Sequence, residues 1–122
     1  MSELFSDPWF RGCQAFLEKD EDFRRHARWF TGTIAFRRDQ TATWMRFERG
    51  LVTDVAPGVG EPDFLITGTS DGWSHLFDRR WALVRLYRSQ KLLIRGDAVQ
   101  MMKNWKAIFF IVEGLKAFEL SR

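Results

Sequence analysis

The sequence predicts one α+β domain, with five strands in a mostly antiparallel sheet and helices before and after the strands. Three observations predict this class. The chain has 122 residues, enough for a single domain that spans residues 1–122. Apolar residues recur every three to four positions near both ends and every second position in the middle, the spacings of a helix face and a strand face. The first three strands are joined by very short connections, which suit antiparallel neighbours.

Asp7 before Pro8 marks the first helix start, because the carboxylate can cap free N–H groups and proline is pre-set for the first helical position. Phe10, Cys13, Phe16 and Leu17 then form one apolar stripe, which the acidic stretch from Glu18 to Asp22 interrupts. Phe23 to Arg28 either continues the helix or leads into a strand. From Trp29 to Arg38 the spacing changes to two, with Phe30, Ile34 and Phe36 on one side and Thr31, Thr33 and Ala35 on the other. After Asp39 and Gln40 the alternation resumes over Thr41 to Glu48, and Arg49-Gly50 turns the chain into Leu51 to Val55. These three strands form a meander. Ala56 to Pro62, with two Pro and two Gly, is a loop, and Asp63 to Thr69 is a fourth strand.

Ser70 and Asp71 are read as cap residues of a short helix carrying Trp73, Leu76 and Phe77, followed by a second short helix with Trp81, Val84 and Leu86. Lys91 to Arg95 is the fifth strand. Asp97 caps one long final helix whose apolar residues run Ala98, Met101, Met102, Trp105, Ile108, Phe109, Val112. Its second half, Ala107 to Val112, is apolar on all sides and must be covered on all sides, with Gly114 as a candidate C-cap.

Composition narrows the function classes. Six Trp and twelve Phe are many for this length, and they fit either a tight aromatic interior or a partly hollow core. The net charge of +3 is spread over scattered basic residues, which reads as a solvated surface. A lone Cys13 excludes an internal disulfide, and no Cys/His spacing suits a metal. No cofactor is expected. The N-terminal residues lack signal-peptide order and the longest apolar run is too short to span a bilayer, so a cytoplasmic protein is expected.

Catalytic readings are weak. His26 and His75 lie in different segments, and Ser70-Asp71 beside His75 is explained more simply by helix capping than by a triad. Cys13 sits on an apolar stripe as a small hydrophobe, and Gly58-Val59-Gly60 lacks the strand and helix context of a phosphate loop. Trp44 beside Arg46 offers a stacking platform for a base, but an outward aromatic among charges more often packs across strands. Neither an enzyme nor a nucleic-acid binder is expected.

The element order resembles the sterol carrier protein 2 domain family, and particular residues carry the resemblance further. Ala42-Thr43-Trp44 is similar to the family's second strand, and Asp63-Phe64-Leu65-Ile66-Thr67-Gly68-Thr69-Ser70-Asp71-Gly72-Trp73 to its strand and capped short helix. Lys91-Leu92-Leu93-Ile94-Arg95-Gly96-Asp97 is similar to its lysine-led strand ending in glycine and a polar cap. The resemblance covers roughly residues 23–110. Ser89-Gln90 departs from the serine and glycine common before that lysine, and Leu120-Ser121-Arg122 is not the peroxisomal tripeptide of eukaryotic members. The resemblance implies helices covering one face of the sheet and a hydrophobic tunnel between the layers.

The function expected on this basis is non-enzymatic lipid binding or transport, with a fatty acid, fatty acyl-CoA or sterol-like molecule in the tunnel. The residues expected to line it are Phe30, Ile34, Met45 and Phe47 from the sheet and Met101, Met102, Trp105, Ile108 and Phe109 from the last helix. The alternative is an interaction subunit of the same fold that packs apolar surface on a partner. A transient membrane-surface contact and a homo-oligomer or protein partner on the C-terminal apolar segment stay open. Residues 107–118 are expected to gate or cover the tunnel.

Overall fold

A computed structural model of the protein describes residues 3–122. Helix α1 (Asp7–Lys19) is capped by Ser6 rather than Asp7: the Ser6 hydroxyl accepts from the Trp9 N–H at 3.3 Å, and Asp7 lies in the first turn. Both residues cap well, and the acid one position later suits the positive end of the helix. The acidic interruption that follows is a helix boundary. Asp20 ends α1 and caps α2 (Glu21–Ala27), its carboxylate accepting from the Phe23 N–H at 3.1 Å.

The sheet contains β1 (Gly32–Arg38), β2 (Thr41–Glu48), β3 (Leu51–Pro57), β4 (Phe64–Gly68) and β5 (Leu93–Gly96), in the order β3-β2-β1-β4-β5. The meander β1-β2-β3 and the β4/β5 pair are antiparallel, while β1 and β4 run parallel. That parallel pair arises because residues 58–63 carry the chain from the β3 edge back across to β1. Strand β5 begins later than the sequence suggests, since the Lys91 and Leu92 N–H groups bond the Leu86 carbonyl instead of a strand neighbour.

Between β4 and β5 lie α3 (Ser70–Phe77) and α4 (Leu83–Arg88). The α3 cap is Thr69, whose hydroxyl accepts from the Gly72 N–H at 3.0 Å, not Ser70 or Asp71. Three successive residues there are good caps, and hydrogen bonds elsewhere occupy the other two: Ser70 Oγ donates to Asp39 at 2.5 Å, and the Lys91 ammonium lies 3.4 Å from Asp71. Trp81 precedes α4, and Leu83 with Leu86 form its buried stripe while Val84 faces outward.

The expected single final helix is two: α5 (Ala98–Lys103) and α6 (Trp105–Ser121). Asn104 breaks it at φ −109°, ψ 12°, and its side-chain amide donates to the Gln100 carbonyl at 2.9 Å. A side chain that bonds the preceding turn competes with the helical ladder there. The apolar stripe is broken with it, and no residue of α5 is buried.

Helices α1, α2, α3 and α6 close over one sheet face. Ile34, Phe36, Met45, Phe47, Val55, Phe64 and Ile66 from the sheet meet Phe10, Leu17, Phe23, Trp73, Ile108 and Leu115 from the helices in one core. At one end Phe5, Trp9, Phe10, Trp73 and Phe77 form an aromatic cluster with centroids 4.8 to 6.2 Å apart. That end is a tight aromatic interior. Such tilted and edge-on ring pairs add about 0.5–1.5 kcal/mol each beyond area burial.

The apolar run in α6 is covered largely by this chain's own helices. Ala107, Ile108, Ile111 and Val112 are buried, Phe109 and Phe110 are half-buried, and the Phe110 ring stacks on His26 at 4.1 Å. Gly114 is mid-helix rather than a C-cap. It permits close approach to α1, because a Cβ there would collide with the Leu17 side chain. On the opposite sheet face, Trp44 pairs across strands with Ala35 and Ala56 and lies against Gly60, the packing expected of an outward aromatic.

Candidate functional site

An apolar groove of about 500 Å³ lies between α4, α5 and the first turn of α6, lined by Val84, Tyr87, Arg88, Met101, Met102 and Trp105. Its size falls within the range of small-molecule sites. Each element supplies side chains for a local reason. Leu83 and Leu86 anchor α4 in the core, which turns Val84 and Tyr87, three residues apart, outward into the groove. The break at Asn104 leaves α5 on the surface with Met101 and Met102, while Trp105 begins α6 and meets the Tyr87 ring edge-on at 5.7 Å. Arg88 is the single charged residue of the lining.

A smaller depression of about 170 Å³ lies on the other flank of α5, lined by Phe30, Thr31, Asp63, Phe64, Asp97, Gln100 and Asn104. Thus α5 separates an apolar groove from a depression whose floor includes the core residues Phe30 and Phe64. It is held at its start by Asp97, whose carboxylate accepts from the Gln100 N–H at 3.0 Å, as the sequence indicates.

The nine residues expected to line the tunnel divide into three groups. Phe30, Ile34, Met45, Phe47 and Ile108 are in the packed core. Met101 and Trp105 are half-buried and Met102 is exposed, all three in the groove. Phe109 is half-buried and edge-on to Phe110 at 5.3 Å. The spacing that named Met102 as inward-facing assumed an unbroken helix. Val84, Tyr87 and Arg88 were missed as groove residues, although apolar residues on two faces of one short helix are a signal for them.

Potential chemical groups lie apart from the groove. His75 is buried, with Nδ1 2.7 Å from the Asp71 carbonyl and its ring edge-on to Trp81 at 4.7 Å, while Ser70 is directed to Asp39. Ser70 and His75 do not pair. Cys13 is buried in α1, and burial first, then the nearby Glu119 carboxylate, pushes its thiol well above the ordinary range, with Arg122 opposing. A thiol held protonated is a poor nucleophile. Among the described residues, no three His, Cys, Asp or Glu side chains gather to hold a metal, and no helix is long and apolar enough to cross a membrane.

The motif around Gly68 to Trp73 acts as a structural clamp. Gly72 lets the Lys91 carbonyl approach so closely that a Cβ would collide with it, and the Trp73 indole N–H donates to the Arg37 carbonyl at 2.9 Å. These bonds fix α3 and the segment before β5 against β1, which in turn sets the position of α4 at the groove.

Comparison with known proteins gives a consistent fold. The family model described as "SCP-2 sterol transfer family" matches residues 14–109. A crystal structure of sterol carrier protein 2 superposes with a TM-score of 0.81 at 19% identity, covering 93% of this chain and 98% of that one. The solution structure of a Thermus thermophilus protein described as possibly a sterol carrier protein gives 0.76 at 20% identity, over 95% and 90% of the two chains. Palmitated SCP2L2 from Aedes aegypti gives 0.62 at 14% identity, over 90% and 95%. No curated protein matches the sequence.

Proposed function

Because this chain belongs to the SCP-2 sterol transfer family, we propose that it is a non-enzymatic carrier that holds a long apolar ligand, a fatty-acyl chain first among candidates. The observation that carries the reading is the apolar groove at α5, opening beside a core rich in rings and flexible methionine. An acyl chain enters at Val84, Tyr87, Met101, Met102 and Trp105 and passes under α5 toward Phe30, Phe64 and Ile108. Ile34, Met45, Phe47 and Phe109 line its deeper course as side chains give way. Palmitate on the Aedes aegypti relative supports an acyl ligand over a sterol. The single thiol, buried and protonated, suits a cytoplasmic setting.

Binding of this kind needs no charged anchor. Transfer of apolar surface contributes about 0.8 kcal/mol per methylene, so ten methylenes give about 8 kcal/mol before ordering costs, enough for micromolar affinity. The chain does no chemistry on the ligand: the His75 imidazole is buried, the Ser70 hydroxyl is bonded to Asp39, and the Cys13 thiol is buried and protonated. Displacement of a fluorescent fatty acid by saturated acids of increasing length tests this. Affinity should rise by up to about tenfold for each two methylenes added. Affinity that is flat with length overturns it.

A further inference from the structure

A polar cavity of about 370 Å³ lies away from the apolar groove, at the ends of β1 and β4. These two strands run parallel, so their connections leave from the same end and diverge, β1 into the turn at Asp39 and β4 into α3. Such a divergence opens a crevice at the carboxyl ends of the strands. Arg37, Thr67 and Leu93 lie in register across β1, β4 and β5 and form its floor. They point away from the core, which Phe36, Ile66 and Ile94 face. The walls are Asp39, Thr69 and Asp71 and, ahead of β5, Gln90 and Lys91.

The carboxylates of this cavity are engaged, while donors are left over. Asp39 accepts from the Ser70 hydroxyl at 2.5 Å and from the Ser70 N–H at 3.3 Å, and Asp71 pairs with the Lys91 ammonium at 3.4 Å. Arg37 donates its Nε–H to the Asp39 carbonyl at 3.2 Å, and among the described residues no carboxylate pairs with its guanidinium. The Thr67 hydroxyl and the Gln90 side-chain amide have no protein partner among the described residues. What the cavity lacks is an acceptor.

Gln90 adds a second observation, because it stands in the left-handed region at φ 58°. It follows the C-cap of α4: its N–H bonds the Tyr87 carbonyl at 3.2 Å, and the Lys91 N–H bonds the Leu86 carbonyl at 2.9 Å, the pair of bonds that ends a helix on such a residue. Glycine fills that position without a crowded Cβ, so glutamine there costs stability. Strain kept at a cavity rim points to use of the side chain. We propose that this cavity binds a small polar monocarboxylate, its carboxylate on the Arg37 guanidinium and the Gln90 amide and its short carbon chain against Leu93. A planar guanidinium holds both oxygens of a carboxylate. The charges of Asp39 and Asp71 nearby favour one negative charge on the ligand over two. This site goes beyond the carrier reading and does not rest on it.

Titration of the isotope-labelled protein with sodium lactate, followed by amide NMR and set against sodium phosphate and sodium chloride at equal ionic strength, tests the proposal. Lactate should give saturable shifts at the Thr67, Gln90 and Lys91 amides with a Kd of about 1 mM or below. Phosphate should bind more weakly, and chloride should give no saturable shift. Arg37→Gln should weaken lactate binding by roughly tenfold or more. Arg37 is exposed, so that variant keeps its fold. Gln90→Gly should weaken binding by roughly fivefold, while the melting temperature stays level or rises, since glycine relieves the left-handed strain. Fatty-acid displacement should be unchanged in both variants. Shifts that do not saturate, that chloride reproduces or that survive Arg37→Gln overturn the proposal, and so does phosphate binding as tightly as lactate. A melting temperature lowered by Gln90→Gly overturns the role given to Gln90, whose side chain would then serve the fold.

Discussion

Cys13 illustrates how position decides reactivity. It is fully buried on α1, and burial together with Glu119 holds the thiol protonated in the folded protein. Alkylation by iodoacetamide at neutral pH should be very slow in the native state and rapid in denaturant. The same shift sets a pH dependence. The unfolded thiol ionises at about 8.5; above that value the unfolded state binds fewer protons than the folded one, so stability falls as pH rises. Below it the contribution is fully present. The loss should approach about 1.4 kcal/mol per pH unit, and Cys13→Ala should remove that slope in denaturant titrations. At Gly114 the opposing effects are also separable. Alanine gains helix propensity of about 1 kcal/mol, but its Cβ collides with Leu17, and such overpacking typically costs about 1–3 kcal/mol. Net destabilisation is expected, relieved when Leu17→Ala is added. Sequence spacing identified Leu17 as a core residue, but nothing local could say that Gly114 would face it across two helices.

Elements were legible where their cause is local. Alternating side chains in β1 and β2 place Ile34, Phe36, Met45 and Phe47 on the core face, although the small Ala35 between the first two is buried as well, and the cap at Asp97 is where side-chain chemistry puts it. Replacing Asp97 with alanine should cost about 0.5–2 kcal/mol by thermal or denaturant unfolding, while fatty-acid affinity falls only indirectly. Affinity abolished with stability unchanged would instead make Asp97 a ligand contact. Where several residues are equally able caps, the choice depends on tertiary partners: Asp39 and Lys91 engage Ser70 and Asp71, leaving Thr69 to cap α3. The break at Asn104 was hidden because the apolar spacing on either side happens to stay in phase. As a result Phe30, Ile34, Met45, Phe47 and Ile108 were legible as inward-facing, although they were expected to line a tunnel and are found in the packed core. The groove was not, since Val84 and Tyr87 come to it from a different helix than Met101 and Met102.

At the scale of the molecule, the helix layer has a strong part and a weak part. Helix α6 contributes Ile108, Ile111, Val112 and Leu115 to the core, side chains worth about 1.5–3 kcal/mol each when fully buried, and it packs among α1, α2, α3 and α4. Helix α5 buries no residue, spans only six, and stands between the apolar groove and the depression over Phe30 and Phe64. Short segments with few buried contacts open at low free energy, and ligands are admitted through such segments. The cover over a bound chain is therefore expected to be α5 with the first turn of α6, and the later part of α6 its fixed wall. Amide hydrogen exchange should show residues 98–104 exchanging far faster than residues 108–115 in the free protein. Addition of a long-chain fatty acid should slow exchange at 98–106 with little change at 108–115, and raising protein concentration should change neither. If protection instead appears along residues 107–118 and follows protein concentration while ignoring lipid, the apolar half of α6 serves an interface between chains, and α5 is a surface helix with no part in admitting a ligand.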